Sequence, residues 1–261
     1  MCLLTAIHQT LPGCPLLLFG NRDEQRSRTS LSPQIATDER SGVQWLAGTD
    51  AKASGTWLGI NEYGLVVAVT NRPEFHSSRP SRSRGLLCRD LLACEAVGEA
   101  VGEAVGEAVG EAVGEAERQL RSETYSGCNL LLFSGEAAAV IEVGDGFFVD
   151  ELPPGIHIFG NGPPNDAGDA RIRRVRDELA PLSVDVPLDH WLNEARNLCG
   201  LHDRDANKSV CRHGVEWGTV SSTIIAVTSN IKNARYLYSD GLPCETPFDD
   251  HSPALRTLLA R

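Results

Sequence analysis

The feature that most constrains the fold is the order of its short apolar runs, which follow one another as neighbours. Runs of this length, bounded by turn residues, are typical of β-strands. Strict alternation of strand and helix would indicate a parallel sheet, whereas neighbouring strands favour antiparallel sheets with helices packed outside. The sequence therefore predicts an α+β protein. The predicted strands are residues 3–7, 16–20, 56–60, 65–70, 129–134, 138–143, 147–150, 156–159, 223–228 and 234–238, and the predicted helices are 86–96, 170–179 and 188–201.

A tandem repeat interrupts this pattern, because Ala-Val-Gly-Glu occurs five times in succession over residues 96–115. On a helix each four-residue step overshoots a full turn by about 40°, so the valines cannot form one straight buried stripe. We expect an insert that lengthens a surface helix or loop, and a scaffold that binds a partner through the repeat is the alternative. Since composition changes sharply nowhere else, residues 1–261 are predicted to form a single domain that carries this insert.

The net charge of the chain limits the kinds of ligand that it can bind. With 35 acidic and 24 basic residues, the formal net charge is −11, which argues against nucleic acid and anionic membranes as ligands. No apolar run approaches the ~20 residues of a transmembrane helix, and the first residues lack the basic segment of a signal peptide. We expect a cytoplasmic protein with reduced thiols that acts on a small molecule. The sequence is compatible with either a monomer or a homo-oligomer.

Two cysteine–histidine pairs, Cys199-x-x-His202 and Cys211-x-His213, have residue types that suit zinc. Their spacing does not match a common zinc finger, and the segment between them is polar. Scattered thiols and surface imidazoles are the commoner explanation, so no metal site is predicted.

The start of the chain offers a different chemistry. Cys2 follows the initiator methionine, which is normally removed before so small a residue. The α-amine of Cys2 would then lie beside its thiol, a combination that supplies both nucleophile and base. The next predicted strand ends in the charged tetrad Asn21-Arg22-Asp23-Glu24. In an antiparallel pair this tetrad can lie beside Cys2, where a positive neighbour would favour the thiolate.

Several further blocks occur in an order that extends over most of the chain. They are Gly-Thr-Trp-Leu-Gly at 55–59, Val-Ala-Val-Thr-Asn-Arg at 67–72, Ser-Arg-Gly-Leu at 83–86, Tyr-Ser-Gly-Cys-Asn-Leu at 125–130, Phe-Gly-Asn-Gly at 159–162 and Gly-Thr-Val-Ser-Ser-Thr at 218–223. With the Met-Cys start and the tetrad, they resemble the NRDE family of transport-and-Golgi-organisation proteins. The repeat falls between two of these blocks, as an insertion should.

This resemblance implies an N-terminal-nucleophile hydrolase-like fold, a four-layer αββα sandwich of two antiparallel sheets between helix layers. Within that superfamily the chain is distantly similar to the choloylglycine hydrolases, which include bile-salt and penicillin V acylases. The implied activity is hydrolysis of a linear amide of a small acylated molecule, with no cofactor.

The resemblance also implies roles for individual residues. Cys2 would be the nucleophile, Arg22 would hold its thiolate, and Asp23 would orient the α-amine. Asn71 and Asn161 would donate hydrogen bonds to the developing oxyanion, and each such donor can contribute roughly 3 kcal/mol.

Three residues are assigned to the substrate pocket: Asn21, Trp57 and Arg84. Trp57 also suits a core aromatic and Arg84 a solvated loop. One position departs from the pattern, because Val220 stands where many family members have an arginine in a late block. The alternative function is therefore a non-catalytic carrier on the same fold, with haem or a lipid-like molecule as its hydrophobic ligand.

Overall fold

The computed structural model describes residues 2–77, 81–94, 104–135 and 137–260. The chain divides into two compact units. Unit 1 contains Met1–Arg28 and Pro154–Pro253, and unit 2 contains Thr29–Pro153 and Ala254–Arg261. The prediction of a single domain stays a prediction.

Strands and helices occur in the following bounds. The strands are β1 (Cys2–Leu11), β2 (Cys14–Gln25), β3 (Ser30–Thr37), β4 (Gln44–Asp50), β5 (Leu58–Asn61), β6 (Val66–Asn71), β7 (Cys128–Phe133), β8 (Ala138–Val143), β9 (Phe147–Glu151), β10 (Gly155–Phe159), β11 (Trp217–Val227), β12 (Arg235–Ser239) and β13 (Asp249–Asp250). The helices are α1 (Arg84–Leu92), α2 (Ala104–Ser122), α3 (Ala170–Leu179), α4 (Leu188–Cys199) and α5 (Ser252–Leu259).

Unit 1 is built on a six-stranded sheet in the order β10-β1-β2-β11-β12-β13, and its strand pairs are antiparallel. Side chains alternate between the two faces of a strand. The apolar side chains of one face of β1 and β2 form a core cluster with residues of α3 and α4, namely Leu3, Ile7, Leu17, Phe19, Ile172, Val175, Trp191 and Leu192. These helices therefore cover one face of the sheet.

Gly20 allows β1 and β2 to approach closely at the end that carries Cys2. It pairs with Leu4, and a Cβ at this position would lie 2.2 Å from the backbone carbonyl oxygen of Leu3. Any side chain here would force the two strands apart, so glycine is required beside the charged tetrad.

Unit 2 is built on a seven-stranded antiparallel sheet in which sequential strands are neighbours, from β3 to β9. Helices α1 and α2 cover one face of it and share a core cluster with its strands. Most successive strands of this sheet are joined by short connections, and the exception is the connection between β6 and β7, which contains α1 and α2.

Three of the five repeat units, residues 104–115, lie in α2, while residues 96–103 fall outside the described residues. Val109, Ala112 and Ala116 are buried against the sheet. Because the four-residue step turns the valines away from the sheet, the buried stripe passes from valine to alanine. The expectation that the valines alone form no straight stripe agrees with this packing. Small alanines let this part of α2 pack against the sheet, and the expectation that the repeat lengthens a surface helix or loop stays a prediction.

Every predicted strand and helix has a counterpart. The repeat, expected as a helix or loop, contributes to α2, and four further elements lie where the sequence predicts none. The edge strand β3 is mostly exposed, so its sequence lacks the apolar pattern of a buried strand. It also contains Pro33, near a shift in its pairing register with β4. In β4, Gly48 interrupts the pattern, because the Trp57 ring packs where its side chain would be. The other two elements, β13 and α5, are short.

The described part of the chain contains no helix with the length and hydropathy required to span a membrane. All eight cysteines are free thiols.

Candidate active site

Cys2 is the first residue of β1 and lies at one end of the unit 1 sheet, between β10 and β2 in the strand order. It pairs with Arg22 of β2, and directly opposed residues of an antiparallel pair project to the same face. The thiol-bearing residue and the arginine are therefore neighbours on the face opposite to α3 and α4. Both are buried, with 8% and 6% of their surface exposed.

Asn161 follows a strand that pairs with β1. Strand β10 pairs with β1 so that Phe159 opposes Leu4. Asn161 follows two residues after Phe159, just beyond the end of β10. The strand that leads to Asn161 is therefore the neighbour of β1 on the side away from β2.

Asp23 is held by the neighbouring strand β11. It pairs with Thr219, whose Oγ1 donates a 2.7 Å hydrogen bond to Asp23 Oδ1. The next residue, Val220, is the extra residue of a β-bulge, because Ser221 already pairs with Arg22. Bulges often occur beside active sites, where they redirect a side chain.

Arg171 of α3 connects these residues and was not among the predicted site residues. Its Nη1 lies 3.4 Å from Asp23 Oδ2, and its Nη2 donates to Asn161 Oδ1 at 3.3 Å. The side chain is 6% exposed. One buried guanidinium therefore links the carboxylate after Arg22 to the asparagine that follows β10.

A sequence signal for Arg171 does exist. It lies four and eight residues before Val175 and Leu179, so it falls on the apolar stripe that α3 turns toward the core. A charged residue within such a stripe is rarely buried without a partner. This signal identifies a buried arginine but does not name its partner.

Burial raises the pKa of the Asp23 carboxyl from 3.8 to about 6, since desolvation disfavours the charged form. The hydrogen bond from Thr219 and the positive charges of Arg171 and Arg212 lower the pKa, but by less than burial raises it. At neutral pH Asp23 is therefore a carboxylate that can accept hydrogen bonds. Near pH 6 half of it carries a proton.

This shift predicts a pH dependence of stability. Between about pH 4 and pH 6 the folded protein binds the Asp23 proton more tightly than the unfolded chain does, so the contribution of Asp23 to the free energy of unfolding falls as pH rises. The expected loss is on the order of 3 kcal/mol, and Asp23→Asn should remove this slope. Urea denaturation at several pH values measures it, with the exposed Asp145→Asn as the control. Parallel profiles for wild type and Asp23→Asn would contradict the assignment.

Asn21, assigned to the substrate pocket from the sequence, lies on the helix-covered face and is 1% exposed. Its Nδ2 donates to the carbonyl oxygens of Cys199 at 2.9 Å and Val210 at 3.0 Å. Its Oδ1 accepts a 2.6 Å hydrogen bond from Ser222 Oγ. These contacts tie β2 to the end of α4, and a role for Asn21 in the pocket stays a prediction.

The remaining predicted site residues belong to unit 2. Asn71 ends β6 and pairs with Cys128 of β7. Trp57 packs against the core cluster of unit 2, and Arg84 begins α1 and donates to the carbonyl oxygen of Gly127 at 2.9 Å. Their roles in oxyanion binding and in the pocket stay predictions.

A cavity of about 480 Å³ opens beside Asp23 within unit 1. Its volume suits a small molecule. The cavity is lined by Asp23, by the start of β11 and by the segment between α4 and β11. The lining includes His202, Cys211, Arg212, His213 and Trp217.

One protein family has a sequence profile that covers most of the chain. The sequence profile of the family described as "Transport and Golgi organisation 2" matches residues 1–237. Comparison with curated protein sequences gives no significant match.

Solved structures with a similar fold share 14% sequence identity with this chain. A mutant of the conjugated bile acid hydrolase from Clostridium perfringens has a TM-score of 0.56, over 97% of this chain and 93% of that one. The N-acylethanolamine-hydrolyzing acid amidase orthologue of Caenorhabditis elegans has a TM-score of 0.53, over 86% and 92%. Penicillin V acylase from Agrobacterium tumefaciens has a TM-score of 0.54, over 97% and 86%. These likenesses confirm the predicted α+β, N-terminal-nucleophile hydrolase-like fold.

Proposed function

Because this chain belongs to the Transport and Golgi organisation 2 family and shares its fold with amide-cleaving hydrolases, we propose that it is a cysteine amidohydrolase. Its nucleophile is Cys2, which becomes the N-terminal residue when Met1 is removed. The observation that carries the proposal is the register of β1 and β2, which sets Cys2 opposite Arg22. The substrate is a linear amide of a small acylated molecule, and the setting is the cytoplasm.

The proposed reaction has two steps. The Cys2 sulfur attacks the carbonyl carbon of the amide while its proton passes to the α-amine. The C–N bond then breaks, the α-amine protonates the leaving amine, and a thioester remains on Cys2. Water hydrolyses the thioester, which releases the carboxylic acid and restores the thiol.

The residues around Cys2 support this chemistry. The positive charge of Arg22 favours the thiolate, and Asp23 accepts a hydrogen bond from the α-ammonium group. Asn161 donates to the oxyanion, and the role of Asn71 stays the expectation drawn from the family resemblance. Val220 cannot supply the arginine found in this block of many family members, and we assign the second buried guanidinium of the site to Arg171 on α3.

Arg171 acts as a positioning residue in this proposal. Its two nitrogens contact the side chains of Asp23 and Asn161, and so fix two groups of the site relative to each other. A rigid arrangement matters, because oxyanion donors contribute only when they lie at hydrogen-bond distance from the developing charge.

Intact-mass spectrometry tests the proposal. Protein purified from cells should lack Met1, and an N-acyl β-lactone, which acylates thiolates, should add once per chain. Peptide mapping should locate the adduct on Cys2. Retention of Met1, or an adduct at another cysteine, would refute the mechanism. A saturable change in haem absorbance without acylation would instead favour the carrier function.

A further inference from the structure

A second group of reactive side chains lies in unit 1, away from the Cys2 thiol. It consists of His202, Cys211, His213 and Cys244. The first three come from the segment between α4 and β11, and Cys244 comes from the segment between β12 and β13. Ligating atoms of His202, His213 and Cys244 lie within 4.8 Å of one another.

The distances among Cys211, His213 and Cys244 match those between ligands of one metal ion. Cys211 Sγ lies 3.5 Å from Cys244 Sγ, and His213 Nε2 lies 3.1 Å from Cys244 Sγ and 3.8 Å from Cys211 Sγ. Zn–S bonds of about 2.3 Å and Zn–N bonds of about 2.0–2.1 Å place two ligands of a tetrahedral site roughly 3.3–3.8 Å apart. His202, whose ligating atom lies within 4.8 Å of those of His213 and Cys244, completes the site by moving toward them.

The Nδ1 nitrogens of both imidazoles face oxygen atoms, and that of His202 is within hydrogen-bond distance. His213 turns Nε2 toward the two sulfurs, while its Nδ1 lies 3.8 Å from a carboxylate oxygen of Glu245. His202 Nδ1 lies 3.2 Å from the carbonyl oxygen of Gly200. A carbonyl oxygen only accepts, so Nδ1 carries the proton and the lone pair of Nε2 can bind a metal. Acceptors of this kind usually orient metal-bound histidines.

We propose that His202, Cys211, His213 and Cys244 bind one Zn²⁺ in a structural Cys₂His₂ site. Binding forms two Zn–S and two Zn–N bonds and releases two protons, one from each thiol. The ion links the segment after α4 to the segment after β12, both of which border unit 1's sheet. It also stiffens the wall of the cavity beside Asp23, which His202, Cys211 and His213 help to form.

This site departs from the sequence prediction of no metal. The sequence pairs Cys199 with His202, but Cys199 is 1% exposed and packs in the core of unit 1. The fourth ligand is Cys244 instead, 33 residues after Cys211. Only the fold brings it to the histidines.

Metal titration of the full-length protein, kept reduced with a phosphine, tests the proposal independently of any enzymatic activity. One Zn²⁺ per chain should bind in competition with a chromophoric chelator. Co²⁺ alone should give the absorption bands of tetrahedral coordination together with sulfur-to-cobalt charge transfer. Zn²⁺ should also raise the melting temperature.

Two exposed ligands provide variants that should still fold. Cys244→Ser should weaken Zn²⁺ binding at least ~100-fold and reduce the sulfur-to-cobalt charge-transfer band of the Co²⁺ form by about half. His202→Ala should also weaken Zn²⁺ binding but keep the full charge-transfer band, because both sulfur ligands remain. His190→Ala, an exposed histidine of α4, is the matched control and should bind like wild type.

Three results would overturn the proposal. The first is no stoichiometric binding by the reduced protein, and the second is a cobalt spectrum without charge transfer. The third is equal zinc affinity in Cys244→Ser and His190→Ala. A Cys211–Cys244 disulfide in protein purified from cells would assign the two thiols to a redox pair instead.

Discussion

Replacing Cys2 by alanine should reduce turnover of N-acyl amide substrates at least about a thousand-fold and abolish acylation by the β-lactone. The proposed mechanism forms its covalent bond at this sulfur, so no other group can complete the first step. Hydrolysis of a panel of fluorogenic N-acyl amides measures turnover, and intact mass measures acylation.

Cys14→Ala is the matched control, because Cys14 lies in the same β1–β2 hairpin. Burial raises the pKa of its thiol to about 12, so this thiol stays protonated at neutral pH and reacts poorly. Its loss should change turnover by less than about two-fold. If Cys2→Ala keeps wild-type turnover while the protein stays folded, Cys2 is not the nucleophile.

Replacing Arg171 by alanine should lower the free energy of unfolding by about 3 kcal/mol at pH 7. The change removes one of the positive charges that face a buried carboxylate, and a buried charge that loses a hydrogen-bonded ionic partner is destabilised. Urea denaturation of both proteins measures the loss. Arg176→Ala, an exposed arginine of the same helix, is the control and should change stability by less than about 1 kcal/mol.

The defect of Arg171→Ala should shrink as pH falls toward 5. Below its raised pKa of about 6, Asp23 takes up a proton and no longer requires a positive partner, and loss of Arg171 moves that pKa higher still. A loss of stability that stays the same at pH 5 and pH 7 would contradict the ion pair. Adding Asp23→Asn to Arg171→Ala should recover part of the stability, since it removes the buried charge.

Much of the fold could be predicted because its signals are local. Short apolar runs mark ten strands of the two antiparallel sheets, and the helix α3 has its predicted bounds. The order of the motifs indicated the family, which the match over residues 1–237 confirms. Local signals fail where a strand is polar and exposed, as in β3, or where a glycine accommodates a ring, as in β4.

The candidate site was only partly visible in the sequence. The antiparallel hairpin suggested that Cys2 lies beside the tetrad, and its pairing with Arg22 agrees with that. The predicted roles of Asn71, Trp57 and Arg84 rest on the resemblance and stay predictions. Asn21 and Arg22 are adjacent in the tetrad but point to opposite faces of the sheet, because side chains alternate along β2.

The sequence alone determined the α+β class, the family, the Cys2 start and the position of the repeat, because each depends on short segments and on their order along the chain. Only the tertiary structure decided which distant groups meet. Arg171 reaches Asp23 across 148 positions, and Cys244 joins two histidines from a separate segment. The sequence specifies the chemistry of each side chain. Which groups become neighbours, and at what distances, depends on sheet register and helix packing, because these bring distant parts of the chain together.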